Sequence, residues 1–60
     1  MRFRISKSRD GQFYFEIQSA GNYETLATSE RYPTKAACQQ AIDLIKAQAA
    51  TATLNDQTAS

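Results

Sequence analysis

The sequence contains no histidine and no tryptophan, and its sixty residues include only one cysteine, one proline, one methionine and two glycines. Without histidine, any acid–base work falls to Asp, Glu, Lys, Tyr or Cys. A lone Cys38 excludes an internal disulfide, and with no histidine beside it an ordinary structural zinc site is excluded too. No cofactor or metal is expected. Apolar runs stop after a few residues, so no segment reads as a membrane span, and Met1-Arg2-Phe3-Arg4 leads into no signal-peptide core. The expectation is a cytoplasmic protein with no membrane partner, which suits a reduced Cys38.

What is present points to a folded domain. Apolar residues make up 42% of the chain and six are aromatic, too many for a disordered segment. Area scaling lets a chain of this mass bury roughly 5,800 Å², about 3,500 Å² of it apolar and worth about 90 kcal/mol, and ordering the chain costs about the same. The monomer's balance is therefore near zero. With disulfide and zinc excluded, the remaining source of stability is a partner chain. Net charge is +1 but unevenly placed. Arg2, Arg4, Lys7 and Arg9 against Asp10 leave residues 1–10 at +3, while three bases against five acids leave residues 11–60 at −2. A basic N-terminal strand hints at an anionic partner.

Apolar spacing divides the chain. Phe3 and Ile5 alternate with Arg2, Arg4 and Ser6, the period of a strand, and Phe13, Phe15 and Ile17 alternate with Tyr14, Glu16 and Gln18 in a second. Tyr23 to Glu30 reads as a third strand anchored by Leu26. Parity sets the register. The first two strands bury odd residues, so Arg9-Asp10-Gly11 fits as a three-residue loop with Gly11 left-handed, placing Ile5 near Phe15 and Arg4 near Glu16. Gly21-Asn22 as a two-residue turn places Ile17 opposite Leu26 and Phe15 opposite Thr28. The result is an antiparallel three-stranded meander.

After Pro33 the period becomes helical. Thr34 is the expected N-cap, and Ala37, Cys38, Ala41, Ile42, Ile45 and Ala49 form the stripe that covers the sheet, with Leu44 on its flank. Thr51-Ala52-Thr53-Leu54 has β-type composition and is expected to form a short C-terminal strand. The domain is expected over 1–56, with 57–60 a frayed polar tail. The fold class is α+β, in the order β-β-β-α-β.

No catalytic constellation is specified. Cys38 falls mid-face on the helix, where a free cysteine behaves as a small apolar residue. Glu16 reads as a cross-strand partner of Arg4. The outer sheet face is expected to show Arg2, Arg4, Tyr14, Glu16, Gln18, Thr25 and Ala27, with Tyr23 at its edge. Plain solvation is the default for such a face. The alternative is single-stranded nucleic acid or another anionic partner held by Arg2, Arg4 and Tyr14, since bases stack on aromatics and phosphates pair with arginine. Leu44, Thr53 and Leu54 are the candidate residues of a homodimer interface.

The run Gly11-Gln12-Phe13-Tyr14-Phe15-Glu16-Ile17, followed by Ala27-Thr28-Ser29-Glu30-Arg31-Tyr32-Pro33-Thr34-Lys35-Ala36-Ala37, resembles the YegP-like family of small bacterial proteins. Ala41-Ile42 and Ile45-Lys46 continue the likeness, which spans Phe3 to Asp56. Two positions depart from the family pattern: Tyr23 stands where a glycine is usual after Asn, and Ala41 where the helix has glycine. The resemblance implies a β-β-β-α-β unit, paired either in tandem or as two subunits that share a sheet and exchange C-terminal strands. With one unit here, it implies a homodimer. The family has no established activity, so it implies no catalytic or binding residues, and the reading is a non-enzymatic module.

Overall fold

The computed structural model describes residues 1–58, so the part of the expected frayed tail at 59–60 lies outside the described residues. The fold is α+β. Strands β1 (Arg2–Lys7), β2 (Phe13–Gln18) and β3 (Thr25–Thr28) form an antiparallel sheet in the order β1-β2-β3, followed by helix α1 (Lys35–Gln48) and a 3₁₀ turn, Ala49–Thr51.

The first hairpin follows the parity argument. Ile5 pairs with Phe15 and Arg4 with Glu16. Ser8 N–H donates to the Gln12 carbonyl at 2.7 Å, enclosing Arg9-Asp10-Gly11, and Gly11 has φ +86°, a left-handed conformation that costs a residue with a Cβ about 1 kcal/mol or more.

The second hairpin corrects the expectation. Its centre is as expected, but Ser19 N–H donates to Glu24 C=O at 2.9 Å, so the loop is the four residues Ala20–Tyr23 rather than Gly21-Asn22 alone. Gln18 pairs with Thr25, after which a bulge at Leu26 slips the register by one: Ile17 meets Ala27 and Glu16 meets Thr28. Leu26 is therefore not a core anchor. It is 56% exposed, because α1 packs on β2 and leaves β3 uncovered. Ala27 correspondingly belongs opposite Ile17 and not on the outer face.

Past β3 the chain keeps its contact with β2. Ser29 N–H donates to Phe15 C=O and Phe15 N–H to the Ser29 hydroxyl, both at 2.9 Å, and Phe13 and Tyr32 exchange backbone hydrogen bonds. This carries Tyr32 onto Phe15, ring stacked at 6.4 Å, while Phe3 meets Phe15 edge-on at 6.0 Å. Thr34 caps α1, accepting from Ala37 N–H at 3.1 Å. Phe15, Cys38 and Ile42 form the buried centre, with Phe3, Ile5, Phe13, Ile17, Tyr32, Ala41 and Ile45 packed around it. Ala49, placed in the stripe from its spacing, is exposed where the helix tightens into the 3₁₀ turn.

No strand forms at Thr51–Leu54 in the single chain. Thr51 ends the 3₁₀ turn, Ala52 is extended (φ −63°, ψ 141°), and residues 52–58 have no ladder partner among the described residues. A strand exists only through hydrogen bonds to a neighbour, so β-type composition alone does not produce one.

Phe15→Ala removes the ring on which two aromatic contacts and the helix packing converge. It is expected to cost about 3–5 kcal/mol, enough to abolish cooperative thermal unfolding in a domain of this size. A cooperative melt near the wild-type temperature would show that the helix is held elsewhere.

Candidate functional site on the outer sheet face

Even-numbered side chains of β1 and β2 point away from the helix. At one end of this outer face the Arg2 guanidinium lies 3.7 Å from the centroid of the Tyr23 ring and donates to Gln18 Oε1 at 2.6 Å. Gln18 Nε2 is 3.5 Å from Thr25 Oγ1, and the Thr25 hydroxyl donates to Glu16 at 3.3 Å. Under the Arg2–Tyr23 stack Gln18 is only 4% exposed, so its place is a buried polar network rather than the open face expected for it. Arg2 is thus a structural residue, with its guanidinium already engaged. Arg4 remains on the exposed face, opposite Glu16 in register, while the Glu16 carboxylate accepts from Thr25.

Tyr23 holds φ +55°, the conformation a glycine would take there without cost. The asparagine before it supports the turn: the Asn22 side chain accepts from Ser19 Oγ at 2.6 Å and from Glu24 N–H at 3.1 Å. Stacking with Arg2, worth about 0.5–1 kcal/mol at an exposed site, offsets part of the left-handed cost of about 1–2 kcal/mol.

At the other end two grooves meet. One, of about 730 Å³, is lined by Gln12, Tyr14, Glu16, Thr28, Ser29, Glu30 and Arg31. The second, of about 450 Å³, is lined by Lys7, Ser8, Arg9, Asp10, Tyr14 and Arg31. Tyr14 and Arg31 belong to both. The structure therefore places Arg2 and Tyr14 at opposite ends of the face, and brings Arg9 and Arg31 beside Tyr14 instead, with Lys7 lining the same groove. Arg31 is far from β1 in sequence. It arrives through the irregular pairing of residues 29–32 with β2, for which the spacing of the strands carries no signal.

Asp10 sits in the smaller groove and is tied down locally. The Ser8 hydroxyl and, at 3.3 Å, the Gln12 N–H donate to its carboxylate. The Ser8 hydrogen bond most of all, then the Gln12 N–H and the positive charge of Arg31, hold its pKa below the usual 3.8. Cys38, by contrast, has its thiol pushed up by burial and is a free, buried side chain.

Two outcomes test this geometry. Tyr23→Gly relieves the left-handed strain as it loses the stack, and is expected to leave stability within about 1 kcal/mol; Tyr23→Ala keeps the strain, loses the stack and is the more destabilising. Chemical denaturation of the two variants gives the order, and an Ala variant at least as stable as the Gly variant contradicts it. Any stabilisation from Asp10 is present above pH 3.8 and is lost as pH falls through its lower folded value. Ser8→Ala is expected to move the Asp10 midpoint upward in a carboxyl NMR titration, and an unmoved midpoint would clear Ser8 of the role.

Comparison with known proteins places this arrangement. Residues 8–56 match the domain described as Domain of unknown function (DUF1508). The chain is 46% identical over 44 residues to the UPF0339 protein YegP of Shigella flexneri and of Escherichia coli O157:H7, covering 73% of this chain and 39% of those proteins. It is 38% identical over 50 residues to a UPF0339 protein of Neisseria meningitidis serogroup B, covering 83% of this chain and 88% of that one. The chain thus spans about two-fifths of the YegP proteins it matches and most of the Neisseria protein. No helix is long and apolar enough to cross a membrane among the described residues. With the match running from the first turn to Asp56, the chain belongs to the DUF1508, or YegP-like, family.

Proposed function

We propose that the protein is a non-enzymatic homodimeric module of the cytoplasm whose protomers exchange their C-terminal segments. The observation that carries this reading is surface left uncovered. A folded chain of 6.7 kDa is expected to expose about 3,900 Å². This one exposes 4900 Å². The excess of about 1,000 Å² is comparable to the roughly 800 Å² that each partner buries in a standard interface. The shape agrees: the radius of gyration is 13.3 Å, against about 10 Å for a compact chain of this length.

The uncovered parts are chemically suited to each other. Leu26 and Leu44 are each 56% exposed and Leu54 is 90% exposed. The outer edges of β1 and β3 have no neighbour among the described residues, and Thr53 and Leu54 lie on a segment without regular secondary structure that has none either. At ~3.3 Å per residue, Ala52–Thr58 reaches roughly 23 Å, enough to lie along a strand of a second copy. Such pairing satisfies an open edge and buries Leu54. The lengths of the relatives fit, since a YegP protein more than twice the length of the match has room for two such units in one chain.

A second reading, single-stranded nucleic acid or another anionic partner on the outer face, draws on the grooves around Tyr14 and the exposed Arg4.

The expected result is a dimer in light scattering at micromolar concentration. Truncation after Ala50 is expected to give a monomer that is unfolded or much less stable. A monomeric full-length chain removes the association, and a truncated chain that remains a stable dimer removes the strand exchange.

A further inference from the structure

We propose that the groove formed by Lys7, Arg9 and Arg31 beside Tyr14 is a phosphate subsite, and that the adjoining larger groove takes an amino-bearing nucleobase stacked on the Tyr14 ring. This rests on the second reading above and assigns it to residues other than Arg2 and Arg4. The ligand chemistry is a nucleotide, whether free or within a single strand.

Three observations meet there. Of seven Lys and Arg residues in the chain, three line one groove, and two of them, Arg9 and Arg31, stand there against a single carboxylate, Asp10, a local excess of one positive charge. Asp10 accepts from the Ser8 hydroxyl and the Gln12 N–H of its own turn, which fixes where this one negative charge sits. Two of the three are arginines, whose planar forks match phosphate oxygens. Lys7 lines the end of the groove, while its ammonium lies 5.7 Å from the centroid of the inward-packed Phe13 ring.

Tyr14 forms the junction, since it lines both grooves. Beyond it the sign of the surface reverses, because Glu16 and Glu30 line the larger groove with Arg31 as the only cation. Carboxylates repel phosphate and accept from exocyclic amines, as they do from the cytosine amino group. The ligand therefore has one orientation, phosphate toward the Arg9 turn and base toward Glu30. Cytosine and adenine satisfy those acceptors and thymine does not. Groove volumes of about 450 and 730 Å³ fall within the usual range for small-molecule sites.

The test measures binding of the full chain to adenosine monophosphate, adenosine, and short single-stranded oligo(dC) and oligo(dT), by fluorescence anisotropy for the strands and NMR shifts for the small probes. Oligo(dC) is expected to bind at least fivefold tighter than oligo(dT), with a log–log salt slope of about −1.4 for two neutralised phosphates. The monophosphate is expected to shift Tyr14 and Arg31 signals at concentrations where adenosine does not. Binding by both monophosphate and strand makes the free nucleotide sufficient, and binding by the strand alone makes the strand the source; each supports the subsite. The combined variant Lys7→Gln, Arg9→Gln, Arg31→Gln is expected to weaken binding at least tenfold and flatten the slope. Tyr14→Leu is expected to weaken it by a similar factor with the slope kept. Arg2→Ala with Arg4→Ala is expected to stay within about twofold. Strand binding that depends on Arg2 and Arg4 but survives the groove variant overturns this subsite and leaves the second reading standing. No binding to any probe overturns both.

Discussion

Phe15 stands in the middle of the middle strand, and Phe3, Tyr32, Cys38 and Ile42 close around it. Among the described residues three apolar side chains are buried, and two of them are the helix residues that rest on this ring. A 60-residue chain has little else to bury, so the sheet, the crossing to the helix and the helix itself are held to one another through a single contact region. Tyr32 is drawn into it by the backbone bonds to Phe13, which explains why the chain after β3 stays beside β2 instead of running directly to the helix.

That small centre also sets what is left uncovered. The helix lies over β2, and β3 has no exposed-to-buried alternation at all. Leu26 occupies a bulge because no cover exists for it to pack beneath, and Leu44 and Leu54 face outward for the same reason. The three-stranded sheet therefore has open edges on both sides, with apolar side chains exposed beside them.

The outer face is organised by charge, in two unlike halves. Around Tyr23 the guanidinium of Arg2, the Gln18 amide, the Thr25 hydroxyl and the Glu16 carboxylate satisfy one another, and this network rigidifies the second hairpin. Around Tyr14, Lys7, Arg9 and Arg31 line an open groove. Tyr23 belongs to the first half: its backbone takes a left-handed conformation that favours glycine, and its ring stacks on Arg2.

Elements held by local patterning could be read from the sequence. Alternation in Phe3–Ile5 and Phe13–Ile17, the three-residue loop at Gly11, the cap at Thr34 and the helical recurrence of Cys38 and Ile42 each involve residues a few positions apart, so sequence spacing and spatial contact coincide. The four-residue second loop and the bulge at Leu26 could not be, since parity assumes an unbroken ladder and one extra residue reverses every later side chain. The same limit hid the site. Alternation marks Tyr14 as an outward aromatic and Arg4 as an outward base, but it puts Gln18 in solvent, and it carries no sign that an irregular strand delivers Arg31 to the groove of Arg9. A strand at Thr51–Leu54 was legible only as composition. Composition states that a segment can join a sheet, whereas joining depends on a hydrogen-bonding edge within reach, and that is decided by where the helix ends in three dimensions.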